Sequence, residues 1–185
     1  FEPDSYPFNA PREESAKSFD KEALEANVLG RKDLIPVLAI ALYAGMRGAA
    51  PGRYALFSLP LAWFAGGLLG VSFTSLPPLP TPAFSILIIG VLIAADFKLS
   101  DRIFLVMVLA VGFIHGALNG VALKGNAGVP GLIGIMATLF VLVALFSALV
   151  VSLKKPWTRI VVRVAGSWVA AIGMLMFGWM FRGQV

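Results

Sequence analysis

The chain has 185 residues, 58% of them hydrophobic and 14% charged, with a net charge of +5 and a mean hydropathy of +0.86. Soluble domains carry about a quarter charged residues, so this composition excludes an ordinary soluble domain and indicates an integral membrane protein. The absence of cysteine excludes disulfides, thiolate metal sites and cysteine nucleophiles. The basic residues sit in short loops between apolar runs, which argues against nucleic-acid binding.

Residues 1–33 form a polar arm with eight acids and five bases. Pro3, Pro7 and Pro11 favour an extended start, and Glu13–Leu29 has the sparse apolar spacing of a short amphipathic helix (Phe19, Leu24, Val28). Phe1 in place of a methionine fits a cleaved signal peptide or a trimmed chain. A cleaved signal would put the N-terminus outside the cytoplasm.

Six apolar segments follow over residues 34–182: Leu34–Gly48, Tyr54–Phe73, Thr81–Phe97, Ile103–Leu123, Pro130–Leu153 and Ile160–Phe181. The pattern predicts an all-α, polytopic transmembrane bundle of about six helices behind an extramembrane arm. The first and third segments fall short of the roughly 20 residues that cross a bilayer upright. Pro36 and Pro130 suit first turns, whereas Pro60 should kink the second helix.

Three linkers, with Arg163 just beyond the last, hold eight basic residues: Arg47, Arg53, Lys98, Arg102, Lys154, Lys155, Arg159 and Arg163. The alternate side has only Lys124 and Arg182. The positive-inside rule makes the basic side cytoplasmic and, with six spans, leaves both termini outside, as expected of a bacterial inner-membrane protein.

The polar residues inside the spans are few. His115, the single histidine, and Asn119 share one face of the fourth segment, flanked by Gly112, Gly116 and Gly120. Those glycines, with Gly66 and Gly70 on the second segment, have the small-xxx-small spacing that lets helices approach closely, so packing explains them. His115 can be a metal ligand, a proton-relay group or an interhelical hydrogen-bonding residue. Without a charged partner the last is the ordinary role, and Asn119 is its natural mate.

Asp33, Asp96 and Asp101 are the acids near the membrane. The last two sit beside Lys98 and Arg102, where ion pairing is expected. Met174, Met176 and Met180 cluster on the sixth segment, and thioethers select copper(I). Methionine in a membrane helix ordinarily serves as apolar filler, so copper is the less favoured reading. Trp157 and Trp179 suit interfacial anchors. No phosphate loop, nucleophile elbow, zincin motif or catalytic carboxylate pair is present, so no enzyme activity is expected.

The order of features resembles the HupE/UreJ family of small bacterial membrane proteins over residues 27–182. The likeness rests on a short first helix, a small-residue second helix and the turn Ser75-Leu-Pro-Pro-Leu-Pro80. Phe113-Ile-His115-Gly116 and Arg163-Val-Ala-Gly166 complete it. The resemblance implies a nickel or cobalt permease linked to hydrogenase and urease maturation. It also implies a metal site from two motifs, both altered here. Where the family has His-Pro-x-x-Gly-x-Asp-His, this chain keeps Gly30 but has Ala26, Lys32 and Asp33 at the ligand positions. Where it has His-Gly-x-x-His-Gly and an acid, His115, Gly116 and Gly120 remain and Asn119 replaces the second histidine. Lys32 at a carboxylate position disfavours a cation.

These departures make a non-catalytic accessory subunit with a degenerate metal site the leading expectation. It would pack on other integral membrane subunits through its glycine faces. The alternative is a nickel or cobalt permease using His115, Asn119 and Asp33, and a weaker alternative is a copper-handling protein.

Overall fold

A computed structural model describes residues 33–73, 75, 81–124, 128–153 and 156–182. The expected arm over residues 1–32, the altered motif at 26–32, the turn at 76–80 and the Lys154-Lys155 pair lie outside the described residues.

The described residues form six helices: α1 over residues 33–47, α2 Ala49–Ser72, α3 Thr81–Ala94, α4 Asp101–Leu123, α5 Gly128–Ser152 and α6 Pro156–Arg182. The described residues include no strand. Four helices (α2, α4, α5 and α6) are long and apolar enough to cross a membrane, whereas α3 has 14 residues. The molecule is a multi-pass helical membrane bundle.

The helix ends differ from the sequence expectation for local reasons. The expected linker over Arg47–Arg53 shrinks to Gly48, whose φ of 115° only glycine adopts readily. Pro51 then falls in the first turn of α2, where the N–H that proline lacks would have had no intrahelical partner. α2 continues through Pro60, which is buried against its neighbours. α3 stops at Ala94 rather than Phe97 because Asp96 adopts a left-handed φ of 53°. Phe97 N–H then donates to Leu92 O at 3.1 Å and Asp96 N–H to Ile93 O at 3.1 Å. This is a Schellman end with aspartate where glycine is usual. Ser100 caps α4, its hydroxyl oxygen accepting from Ile103 N–H at 3.4 Å, and Asp101 favours the positive helix start.

α1 is the centre of the bundle. Val37, Ala39, Ile40, Ala41, Tyr43 and Ala44 form one broad buried face and none exceeds 1% exposure. Leu38, Leu42 and Met46 on the other side are partly buried and Leu34 is exposed. Around it α2 packs on α4 and α5, and α3 on α6. The outer helices show their apolar side chains, Trp168, Leu175 and Trp179 of α6 among them, as expected in lipid.

The α2–α4 seam is made by glycine on both helices. A Cβ on Gly66 or Gly70 would overlap the carbonyls of Phe113 and Ala117. One on Gly116 or Gly120 would overlap those of Trp63 and Gly67. Gly112 faces Leu59 and Ala62. The glycine faces expected to receive other subunits are therefore occupied within this chain. A second seam, between α3 and α6, brings Gly90 against Ala170, Gly166 against Ile93 and Ala94, and Gly173 against Leu87.

The basic linkers meet at one end of the bundle. Arg47 pairs with Asp101 at 2.7 Å, Arg159 binds Asp96 through two nitrogens at 2.8 and 2.9 Å, and Arg163 Nε donates to Ala94 O at 3.0 Å. Asp96 and Asp101 do form ion pairs, but with distant arginines instead of the adjacent Lys98 and Arg102. The Arg159 hydrogen bond holds the Asp96 carboxyl below its usual range, helped by the charges of Arg159, Arg163 and Lys98 and opposed by burial.

Candidate cation site

Asp33 opens the described part of α1, Ser85 sits in the second turn of α3 and His115 lies two-thirds along α4. The bundle brings the three into one hydrogen-bonded chain. His115 Nδ1 is 3.2 Å from Asp33 Oδ1, and His115 Nε2 is 2.9 Å from Ser85 Oγ. The ring is fully buried and lies against Trp63, with centroids 5.4 Å apart and planes at 31°. Gly116, next in sequence, lets the Trp63 backbone come close enough for that contact.

The roles follow from donor inventory. A carboxylate only accepts, so Nδ1 carries the proton toward Asp33. At Nε2 the ring meets the Ser85 hydroxyl, which donates to Pro82 O at 3.1 Å. Both ring nitrogens are thus engaged by side chains of the bundle. His115 therefore positions Asp33, as an outer partner orients a ligand.

The connectivity Asp33–His115–Ser85 matches that of a nucleophilic triad. Burial separates the two cases. His115 has no exposed surface and Ser85 is 8% exposed, whereas a nucleophile is open to its substrate.

The other side of Asp33 faces space. Asp33, Leu34, Trp63, Asn119, Gly131, Gly134, Ile135, Thr138 and Leu139 line a cavity of about 370 Å³ between α1, α2, α4 and α5. The Asn119 amide has no hydrogen-bond partner among the described residues. Thr138 Oγ1 donates to Gly134 O at 2.9 Å, leaving its lone pairs to accept. The Trp63 indole N–H is buried without an acceptor.

All three residues expected of a metal site thus share one locale, in different roles. His115 and Asn119 do not pair with each other. His115 holds Asp33, and Asn119 borders the cavity. Asp33, expected at the edge of the arm, belongs to α1. Ser85, Trp63 and Thr138 went unnoticed in the sequence. The one available signal was that a buried imidazole needs two partners.

The methionines lie elsewhere. Met174 and Met180 are exposed on α6, and Met174 borders a shallow groove with Trp179 and Arg182 that does not include Met176. Trp157 and Trp179 are exposed at opposite ends of α6.

A family model described as HupE / UreJ protein matches residues 15–176. The chain belongs to the HupE/UreJ family. The match spans α1 to α5 and most of α6, so it covers every residue of the site above. No curated protein and no solved structure matches the chain.

Proposed function

We propose that this HupE/UreJ protein carries a divalent cation, nickel or cobalt, through the membrane by way of the Asp33 cavity. The observation that supports it is the two-sided carboxylate: Asp33 is held by His115 on one side and lines the cavity with Asn119 and Thr138 on the other. A cation with six waters occupies roughly 180 Å³ at about 30 Å³ per water. The cavity of about 370 Å³ accommodates the ion hydrated. Among the described residues no three His, Cys, Asp or Glu side chains cluster. Their oxygens suit an ion that keeps its water and leaves again, as transport requires. The protein is not an enzyme in this reading. The basic end faces the cytoplasm of a bacterial inner membrane and both termini lie outside.

Nickel and cobalt uptake into proteoliposomes tests the proposal. Asp33→Asn, which keeps the shape and removes the charge, should lower uptake at least tenfold in protein that still elutes as a folded species. Asn119→Ala should lower it less. Unchanged uptake in Asp33→Asn ends the proposal.

A second reading, an accessory subunit of a larger membrane complex, is favoured by one feature. α6 leaves Trp168, Leu175 and Trp179 about 70% exposed along one helix. Purification in mild detergent decides it: a chain that runs alone is not such a subunit.

A further inference from the structure

At the basic end, Tyr43, Met46, Arg47, Asp96, Phe97, Lys98 and Arg159 line a second cavity, of about 330 Å³, between α1, α3 and α6. Its chemistry is the reverse of the Asp33 cavity. Three cations and one carboxylate line it, and Arg159 already neutralises that carboxylate through a two-point bond.

Arg47 is fixed there. Its guanidinium carbon lies 5.0 Å from the Phe104 ring centroid and 5.9 Å from that of Tyr43, and Nη2 donates to Asp101 at 2.7 Å. Nη1 is buried with no acceptor. A guanidinium held against two rings and a carboxylate contributes positive potential at low entropic cost, because its orientation is already set. Asp101 offsets part of this charge from outside, its side chain 61% exposed. Lys98 is exposed and bonds to no side chain or carbonyl among the described residues. The Tyr43 hydroxyl gives its proton to Phe97 O at 2.7 Å, which ties the end of α3 to α1 and holds the cavity open between them.

We propose that this cavity binds a phosphate group, with Lys98 and Arg159 as its direct contacts and Arg47 supplying fixed charge behind them. A basic pocket between helices at the membrane surface fits the phosphate of an anionic lipid headgroup, and the same chemistry fits inorganic phosphate. The site is separate from the cation cavity and does not depend on the transport reading.

Thermal unfolding of the full chain tests this. Wild-type protein, Lys98→Gln and Lys124→Gln, the last at the opposite end, are compared in nanodiscs. One set is phosphatidylcholine alone and the other includes phosphatidylglycerol. Each is also measured in neutral detergent with and without millimolar inorganic phosphate. A bound anion should raise the wild-type Tm by about 3 °C or more. Lys98→Gln should lose at least half of that shift, and Lys124→Gln should keep it. A shift with phosphatidylglycerol alone assigns the lipid, and one with inorganic phosphate assigns the free ion. No shift with either, or equal losses in the two lysine variants, overturns the proposal. Lys98 makes no hydrogen bond or ion pair among the described residues and acts on Asp96 only through its charge, so its variant should fold normally.

Discussion

The α2–α4 and α3–α6 seams solve the same problem with different sequence. Both bring helix backbones together with glycine, since lipid offers no hydrophobic drive for helix association. On α2–α4 the glycines recur every fourth residue on both partners and each meets a carbonyl of the other helix. On α3–α6, Gly90 stands alone, while Gly166 and Gly173 are two turns apart. A repeat creates a groove that sequence displays; a few isolated glycines create an equally close seam that it hides. The two seams also divide the site. His115 rides on α4, Ser85 on α3, and their hydrogen bond joins the halves.

The largest expected effect is at the glycine–backbone contacts of the two seams. Gly116→Val should abolish folded protein, because backbone meets backbone at Trp63 and nothing there can move aside. Gly173→Ala adds less bulk but also meets backbone, Leu87 N at 2.5 Å and Cα at 2.7 Å, and should cost about 1–3 kcal/mol or more, as overpacking does. Yield of monodisperse protein and Tm read both. Equal tolerance at the two sites would show that the seams are energetically alike.

Next comes the bond between the halves. Ser85→Ala leaves the His115 Nε2 buried without a partner, at about 1–3 kcal/mol. Ser85→Thr should restore most of the loss in Tm. An Ala variant as stable as wild type would mean that α3 and α4 do not depend on this link.

The smallest effect is at the α3–α6 end. Asp96 has a lowered pKa, so its bond to Arg159 contributes stability above the unfolded value of about 4. That contribution fades as pH falls through the lower folded value. Asp96→Asn should therefore reduce Tm slightly at neutral pH, and the gap from wild type should close below about pH 4. The pair is half-exposed at Arg159, so the gap should be a few tenths of a kcal/mol. A gap that persists in acid would show that the loss is not one of charge, and the left-handed backbone would not account for it either, since asparagine adopts that conformation as readily as aspartate.

The sequence pattern made the all-α bundle, six helices and five glycine contacts of the first seam legible because each repeats at helical spacing. The start of α2 and the end of α3 were not, since the turn at Gly48 and the stop at Asp96 are made by backbone angle alone. The site was legible in its members and hidden in its wiring. Asp33, His115 and Asn119 could be picked out as polar residues in or beside apolar runs. That Asp33 and Ser85, 52 positions apart, would take the two nitrogens of His115 depends on helix packing, which no local spacing records.

Gly48 also bears on how the bundle comes together. A one-residue connection leaves almost no loop entropy to lose when α1 folds back on α2, so this hairpin is the pairing most readily made. Because α1 buries a broad face in the core, it has to enter as the inner arm of that hairpin and wait for α4 and α5 to cover that face. The α3–α6 seam joins segments far apart in the chain and closes late. The order of assembly is therefore written in one left-handed residue at the tightest bend of the chain.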